Sequence, residues 1–428
     1  MKNFLKRIVT FSIAQLARLI IHKYRPTIIM VTGSVGKTST KDALRSAFST
    51  KTYARASEKS YNTEFGVPLT VIGAENPWSN TLSWGKVILE GITLLLLPNH
   101  YPKVLVLEVG ADRPGDLAKI LKIATPDAVV VTKLPEIPVH VEAYPSPEAV
   151  REEEFVPAYG LAPGSPLIIN AEDPYAIAYA KRLQARVMTF GFAERADARI
   201  EDAEILIEKG VPTGMRAAIR MDGVSHELRV LGVVGKPALL AAAAALLTAR
   251  ALDIAPAEAL KGLASYTPPP GRARLFLGKN GSTLIDDSYN SSPVAAEEAL
   301  STLSHMPAKR RIAVLGDMLE LGRYSLAEHE RVGRLAAKVV DHLFAVGIRA
   351  RTLLDGAKEG GMTEDRLTSC ATAKDAAEAI LPMLEKGDVV LAKGSQNNIR
   401  LERLIEGLLE NPEDVKHLVR QDKEWKRR

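Results

Sequence analysis

Short apolar runs alternate with stretches of helical pattern along the first half of the chain. The runs are β-branched or aliphatic and occupy residues 27–31, 104–109, 128–132, 167–170 and 187–190. A helical stretch follows the first run, from Lys37 to about Phe48. Such alternation is typical of a parallel sheet covered by helices on both faces. We therefore predict a central α/β domain at 26–268, built on a doubly wound, mostly parallel sheet.

Within that domain the pattern changes after residue 199. Charged and apolar residues alternate from 199 to 231, which predicts a small antiparallel appendage. Residues 239–251 are rich in alanine, and their intrinsic propensity predicts a helix.

A second α/β series begins after three successive prolines at 268–270. Prolines cannot donate backbone hydrogen bonds, and they hold a linker extended. Helical stretches then separate four candidate strands, at 282–286, 311–315, 342–346 and 388–392. We predict a C-terminal Rossmann-like α/β domain at 269–428, with a charged tail at 411–428 that is helical or frayed.

The N-terminal residues 1–25 mix lysine and arginine with apolar residues. Arg18 interrupts the apolar run, which is shorter than the ~20 residues that a membrane span needs. The segment predicts a basic amphipathic helix, either packed on the next domain or lying in the plane of a membrane surface. A second apolar segment, 87–98, is also too short to span a bilayer, and we expect it in the core.

The composition is that of a soluble globular protein. Of the 428 residues, 46% are apolar and 25% are charged, and this length suggests two or three domains. The net charge of +5 is spread over interleaved acidic and basic residues, so we expect no nucleic-acid binding. The single cysteine, Cys370, excludes an intramolecular disulfide and indicates a reducing cytosol.

The strongest chemical signal lies at residues 31–40, between a predicted strand and a predicted helix. Gly33 and Gly36 let the backbone curl so that amide N–H groups point at phosphate oxygens, and the helix N-terminus adds a favourable dipole. Lys37 can reach the outer phosphates, and Thr38 offers a hydroxyl to Mg²⁺. A valine stands in place of the first glycine of the general phosphate loop, so the match is to the shorter form Thr-Gly-x-x-Gly-Lys-Thr.

Two candidate metal ligands follow other strands. Glu108 ends a hydrophobic strand, and in doubly wound folds a carboxylate placed there lies beside the phosphate loop and can ligate Mg²⁺. His140 follows the strand at 128–132, although a lone histidine is usually structural. The acidic run 152–154 is by itself typical of a solvated helix face.

Together and in order, the motifs resemble those of the Mur ligases, and within them the type that adds D-alanyl-D-alanine to the muramoyl tripeptide. The resemblance runs from about residue 27 to 409. Besides the phosphate loop it rests on Tyr61-Asn62-Thr-Glu-Phe-Gly66, Glu108-Val-Gly-Ala-Asp-Arg-Pro-Gly115, His140, Asn170-Ala-Glu-Asp173, Gly271-Arg272, Asp286-Asp-Ser-Tyr-Asn290, Val314-Leu-Gly-Asp-Met-Leu-Glu-Leu-Gly322 and Lys393-Gly-Ser395.

The resemblance implies ATP and Mg²⁺ as cofactors and a role for each matching position. It implies a catalytic group of Lys37, Glu108, His140 and Arg272. The residues it places at the nucleotide are Gly33, Ser34, Gly36, Lys37, Thr38, Ser39, Arg272, Asp287, Tyr289 and Asn290. It implies that Thr38 and Glu108 ligate one Mg²⁺ and that His140 helps to hold a second. Those it places at the other substrates are Asn62, Lys393, Gly394 and Ser395.

The chain departs from the family pattern at three places. Only about 25 residues precede the first strand, so we expect the family's N-terminal UDP-binding domain to be absent. Glu154 stands where the family carries a carbamylated lysine. We expect either that its shorter carboxylate serves the second Mg²⁺ from a helix that lies closer, or that this metal site is weakened. Lys236-Pro237 replaces a His-Asn pair, and no residue is assigned to adenine.

The function implied by the resemblance is that of an ATP-dependent, ADP-forming amide ligase. It would act through an acyl phosphate on a muramoyl-peptide precursor in peptidoglycan synthesis. Two alternatives stay open: a related ligase with another carboxylate and amine, or a non-catalytic ATP-binding subunit tethered to a membrane. We expect a cytoplasmic monomer acting on a small peptide or nucleotide-sugar substrate, with residues 1–25 as the candidate contact to the inner face of the membrane.

Overall fold

The apolar runs of the first half form the parallel sheet that they predict. The computed structural model describes residues 2–57, 62–77, 81–396, 399–422 and 425, with backbone only for 2–7 and 81–82. The helices of this half are α1 (Lys2–Tyr24), α2 (Lys37–Ser49), α3 (Gly66–Ile72), α4 (Thr81–Leu96), α5 (Asp116–Leu121), α6 (Pro147–Tyr159), α7 (Pro174–Ala180), α8 (Lys236–Ala251) and α9 (Pro256–Leu263). The strands are β1 (Thr27–Thr32), β2 (Ala54–Ala56), β3 (Val104–Glu108), β4 (Ala128–Val131), β5 (Pro166–Asn170), β6 (Arg186–Gly191), β7 (Ala198–Glu208), β8 (Val211–Met221) and β9 (Val224–Leu231).

The order of strands places β1 inside the sheet. The order is β2-β3-β1-β4-β5-β6-β7-β8-β9, and the pairs from β2 through to β7 are parallel. Strands β1, β3, β4 and β5 are almost fully buried, as expected of a parallel sheet covered on both faces. The predicted doubly wound α/β fold is confirmed.

The appendage expected at 199–231 is the meander β7-β8-β9. Two-residue turns join its strands, and both residues of each turn have positive φ: Lys209 and Gly210 in the first, Asp222 and Gly223 in the second. Turns of this length join antiparallel strands, and positive φ at both positions suits the twist of a hairpin.

A second sheet follows the prolines. Its strands are β10 (Arg274–Gly278), β11 (Ser282–Asp287), β12 (Arg311–Gly316), β13 (His342–Val346), β14 (Leu367–Cys370) and β15 (Val389–Lys393). Its helices are α10 (Pro293–His305), α11 (Ser325–Ala336), α12 (Arg351–Glu359), α13 (Ala373–Ile380) and α14 (Glu402–Leu408). The order is β10-β11-β15-β12-β13-β14. In the described strands, β10 and β11 pair antiparallel and the other neighbours pair in parallel. This is the Rossmann-like arrangement that the second series predicts.

The chain divides into two compact units. The first contains Met1–Glu201, Ala218–His226 and Leu240–Tyr266, and the second contains Asp202–Ala217, Glu227–Leu239 and Thr267–Arg428. The last division falls directly before the three prolines at 268–270.

The N-terminal helix α1 packs inside the first unit, to which it belongs. It lies against α3 and α4, and Ile13, Ala17 and Ile20 are fully buried. We expected segment 87–98 to lie in the core, but helix α4 buries only one of its faces. Leu89 and Leu96 on the opposite face are 63% and 75% exposed. Within the described residues, no helix is both long enough and apolar enough to cross a bilayer.

The described part of the charged tail is folded rather than frayed. A 3₁₀ turn occupies Pro412–His417, and Leu418 and Val419 are buried. Residues 423, 424 and 426–428 lie outside the described part. This part of the tail is folded because its apolar residues pack in the second unit. The charged composition of the tail did not predict this packing.

Candidate active site

The loop between β1 and α2 has the backbone of a phosphate-binding turn. Gly33 has φ of +113°, and a Cβ there would lie 2.5 Å from the Thr132 hydroxyl oxygen. Gly36, with φ of +90°, directly precedes the first residue of α2. Glycine is therefore required at position 33 for space and at both positions for conformation. The turn leaves the N-terminal amides of α2 available to an anion.

Thr38 and Glu108 meet beside this turn. Strands β1 and β3 pair in parallel with Val31 opposite Glu108, which brings the end of β3 next to the loop. The Thr38 hydroxyl donates to Oε1 of Glu108 over 3.2 Å. Glu108 is only 3% exposed, and its Oε2 has no hydrogen-bond partner among the described residues. A buried carboxylate oxygen without a partner is costly, so the site suits a cation.

This pair of residues suits a hard divalent cation such as Mg²⁺. Mg²⁺ prefers oxygen ligands and is usually held by one or two carboxylates together with substrate phosphates. Thr38 and Glu108 supply a hydroxyl and a carboxylate next to a phosphate-binding turn. Among the described residues no three His, Cys, Asp or Glu side chains form a metal site by themselves. An ion here would therefore draw its remaining oxygens from a bound triphosphate and water.

Lys37 begins α2 and folds back over the loop. Its Nζ donates to the carbonyl oxygen of Gly33 over 2.5 Å. The ammonium group is thus held at the mouth of the turn, where the outer phosphates of a nucleotide would lie. Ser39, also predicted at the nucleotide, lies in the first turn of α2, and its carbonyl accepts from the Tyr266 hydroxyl over 3.2 Å.

Glu154 lies against the same loop from helix α6. The Ser34 hydroxyl donates to its Oε2 over 2.7 Å, and the Thr32 hydroxyl donates to its backbone carbonyl over 2.6 Å. The side chain is buried, and burial raises the pKa of the Glu154 carboxyl, while the charges of Lys37 and His140 act in the opposite direction. The structure therefore brings Glu154 to the phosphate loop.

The acidic run 152–154 is not one solvated face. Glu153 accepts from the backbone N–H groups of Gly115 and Leu117, each over 3.0 Å, at the start of α5. Glu152 alone faces solvent, where the Tyr159 hydroxyl donates to it over 2.7 Å. Three adjacent glutamates point in three directions because successive helical residues are about 100° apart. Sequence composition could not separate them.

His140 and Asn62 lie nearby on irregular backbone. His140 has φ of 65°, and its Nε2 lies 3.5 Å from Oδ1 of Asp112. Asp112 belongs to the Glu108–Gly115 motif but received no role from the sequence. The carbonyl of Asn62 accepts from the N–H of Gly110 over 3.1 Å, so Asn62 lies just past the end of β3.

In the second unit, the motif residues form their own cluster. The Arg272 guanidinium lies over the ring of Tyr289, 4.3 Å from its centroid. Lys393 Nζ lies 2.8 Å from Oδ2 of Asp287 and donates to the carbonyl of Asn290 over 2.9 Å. Lys393 is 2% exposed, and in this conformation it ties the end of β15 to the 286–290 motif.

Gly394 and Ser395 tighten this cluster. A Cβ on Gly394 would lie 3.2 Å from the Cα of Gly316, so the two strand ends approach closely. The N–H of Ser395 donates to the carbonyl of Asp317 over 3.0 Å, and the Ser395 hydroxyl accepts from the N–H of Leu319 over 3.1 Å. The Lys-Gly-Ser motif thereby positions the loop after β12.

Sequence reasoning missed the part that the tail plays in this cluster. Arg420 donates to the carbonyls of Ser288 and Tyr289, over 3.3 Å and 2.5 Å, and to Oε2 of the buried Glu402 over 2.8 Å. Arg420 therefore fixes the backbone of the Asp-Ser-Tyr-Asn loop. Asp286 belongs to a motif of the resemblance but received no role from the sequence, and burial raises the pKa of its carboxyl to about 6. A lone arginine in a charged tail carries no signal of such a contact.

The first unit's turn and carboxylates have the arrangement of an α/β protein that binds phosphate together with a cation. Residues 31–249 match the model of the Mur ligase middle domain, and residues 271–396 match that of the Mur ligase glutamate ligase domain. The chain belongs to the Mur ligase family, whose members are ATP-dependent, ADP-forming amide ligases.

Individual relatives agree with this assignment. The chain is 31% identical over 394 residues to the UDP-N-acetylmuramoyl-tripeptide–D-alanyl-D-alanine ligase of Mycobacterium bovis, covering 86% of this chain and 70% of the relative. It is 26% identical over 403 residues to the Bacillus subtilis ligase of the same name, covering 94% and 80%. The crystal structure of MurF ligase from Thermotoga maritima in complex with ADP superposes with a TM-score of 0.76 at 26% identity, covering 93% and 83%.

Proposed function

We propose that this chain joins D-alanyl-D-alanine to a muramoyl-peptide carboxylate, with ATP and Mg²⁺, in peptidoglycan synthesis. The observation that carries the proposal is the phosphate-binding turn, with the Thr38 hydroxyl and a buried oxygen of Glu108 beside it that has no partner in the described part of the chain. The names of the relatives supply the substrate pair. A protein that only bound nucleotide would have no need of the motif clusters in both units.

The reaction would proceed in two displacements. An oxygen of the acceptor carboxylate attacks the γ-phosphorus of ATP, the bond to the β-phosphate oxygen breaks, and ADP leaves. The dipeptide amine then attacks the carbonyl carbon of the acyl phosphate, phosphate leaves, and the amine loses a proton. Such chemistry depends mainly on positioning and on neutralising phosphate charge.

The chain's own residues divide this work. Lys37 and the amides after Gly33 and Gly36 would bind the outer phosphates, and Thr38 and Glu108 would hold the first Mg²⁺. Arg272 would bring a further positive charge to the phosphates, and the Tyr289 ring holds its guanidinium. Magnesium, when bound, would neutralise phosphate oxygens and orient them for attack. Asn62, Gly394 and Ser395 would contact the acceptor and the amine, and Lys393 would hold the 286–290 loop through Asp287 and Asn290.

We propose Glu154, with His140, as the ligand pair of a second Mg²⁺ near the transferred phosphoryl group. Glu154→Ala is expected to raise the Mg²⁺ concentration for half-maximal rate by about tenfold. The matched change Glu152→Ala is expected to leave it unaltered, because Glu152 faces solvent. Phosphate release titrated with Mg²⁺ measures both. Equal, negligible effects in the two variants would remove the second metal from the proposal.

The same site gives a pH dependence of defined sign. Burial raises the pKa of the Glu154 carboxyl, so on acidification it takes up its proton at a higher pH than an exposed glutamate does. Activation by Mg²⁺ should therefore weaken at a pH above the ordinary carboxyl range, and Glu154→Ala should remove that part of the profile.

We further propose that the enzyme acts as a monomer in the cytoplasm and contacts the inner face of the membrane through residues 1–25. The packed helix α1 supports a folded element at that position, and the exposed part of its surface is described below. Sedimentation of the full chain measures the oligomeric state.

The substrate assignment is tested by the products. The protein is incubated with ATP and Mg²⁺, with UDP-muramoyl tripeptide and D-alanyl-D-alanine supplied separately and together. The proposal expects ADP, phosphate and the ligated peptide by mass spectrometry only when both are present. Release of ADP and phosphate with a different carboxylate and amine pair would keep the ligase chemistry and reject this substrate pair. No release with any pair would leave a binding protein.

A further inference from the structure

Two neighbouring helices of the first unit expose an apolar surface to solvent. The large side chains on it are between 39% and 75% exposed, and they are Ile8, Phe11 and Leu19 of α1 with Leu89, Ile92 and Leu96 of α4. We call this set the α1–α4 face. Scattered exposed apolar residues are ordinary, but a contiguous group marks an interaction site.

The two helices run parallel and in contact, so the exposed residues form one surface. A Cβ on Gly91 would lie 3.0 Å from Leu16, and Lys23 donates to the carbonyl of Leu94 over 2.9 Å. Leu16 of α1 thus lies beside Gly91 of α4, and Lys23 lies beside Leu94. Both helices therefore run in the same direction. Leu19 consequently lies level with the last turns of α4, where Ile92 and Leu96 are exposed.

Basic residues border the apolar ones on α1. Arg18 and His22 are exposed and follow Phe11 at spacings of seven and eleven, which places all three on one side of a helix. The sequence contains no aspartate or glutamate before Asp42. On α4, Glu90 is paired with Lys86 over 3.7 Å, so its negative charge is offset within the surface.

A groove beside the outer side of α1 carries further positive charge. It encloses about 640 Å³, and its lining includes Arg18, His22, Arg25 and Lys122. The acidic residue in that lining, Asp127, accepts from the backbone N–H of Ile28 over 2.7 Å. The groove is therefore suited to an anionic group of the size of a phosphate ester.

We propose that the α1–α4 face docks on a bilayer of anionic phospholipid, with its apolar side chains at the acyl boundary and the groove residues at the phosphates. An in-plane helix of this kind gains affinity from buried apolar area and from attraction to anionic lipid. A second copy of this chain is a poorer occupant, because a symmetric contact would bring the Arg18 side chains of the two copies, which carry like charges, onto the same interface. The proposal deepens the peripheral contact suggested above, and it uses no residue of the phosphate site.

Vesicle flotation of the full chain tests the docking surface. Phosphatidylcholine vesicles are compared with vesicles that also contain phosphatidylglycerol, at low and high salt. We expect binding to the anionic vesicles that weakens with salt. Phe11→Ser and Leu96→Ser should each weaken it by about tenfold, and Arg18→Gln and Lys122→Gln by about fivefold each. Leu231→Ser, which alters a 58% exposed leucine outside the face, should have no effect.

Ligase activity in solution separates this inference from the proposed function. The Phe11 and Leu96 variants should keep the phosphate-release rate of the parent, which also shows that they are folded. Failure of the parent chain to bind either vesicle overturns the docking surface. Vesicle binding that is unchanged by the serine substitutions also overturns it. Self-association in sedimentation that these substitutions abolish overturns it as well. None of these results bears on the chemistry at Glu108.

Discussion

Glu108→Gln is expected to reduce turnover by about a thousandfold while the protein stays at least as stable as the parent. The glutamine keeps an oxygen that can accept from the Thr38 hydroxyl, so the local geometry is retained. It removes the negative charge that we assign to the magnesium ion. That charge is buried, and within the residues that the structure describes one of its two carboxylate oxygens has no hydrogen-bond partner. Its loss should therefore not lower the free energy of unfolding.

The measurement pairs single-turnover phosphate release with thermal unfolding. Glu152→Gln serves as the control, because it makes the same chemical change on an exposed side chain. A Glu108→Gln variant with nearly normal amide formation would show that the carboxylate does not serve the reaction. A marked drop in melting temperature would instead show that Glu108 has a structural role.

Lys37→Ala is the second large effect, again with a loss of about a thousandfold in turnover. The carbonyl of Gly33 holds the Lys37 ammonium group over the phosphate loop. Lys37 is also the only lysine in the loop sequence 33–38. Alanine is a strong helix former, so α2 should be preserved at its first residue. The variant should therefore fold normally and fail in chemistry.

Lys51→Ala is the matched control, since Lys51 is an exposed lysine just beyond the end of α2. Product formation and the midpoint of unfolding are measured for both variants. Comparable rates in the two would contradict the assignment of Lys37 to the phosphates. Lys37→Arg adds a test of shape, because guanidinium retains the charge but not the compact ammonium.

The phosphate loop and Glu108 could be predicted because they depend on local rules. Glycines next to a lysine and a threonine, between a strand and a helix, define the turn by themselves. A carboxylate at the end of a buried run is brought to that turn by parallel pairing, which the register of Val31 and Glu108 confirms. The predicted fold class follows from the same alternation.

Other positions depend on the rotation and packing of elements, which the sequence does not reveal. Glu154 reaches Ser34 while Glu153 binds the start of α5, and this depends on the rotation of α6 about its axis. Lys393 carries the charge expected of a ligand-binding residue, yet it is buried against Asp287. Helix α4 has the composition of a core segment and nevertheless exposes one face.

The contact between Arg420 and Tyr289 has a consequence for synthesis on the ribosome. The two residues are 131 positions apart, so the loop around Tyr289 leaves the ribosome long before the arginine that holds its carbonyls. At ordinary rates of translation the delay is roughly ten seconds. During that interval the nascent chain carries all residues of the first unit and only part of the second. Completion of the ligase should therefore coincide with the arrival of Arg420.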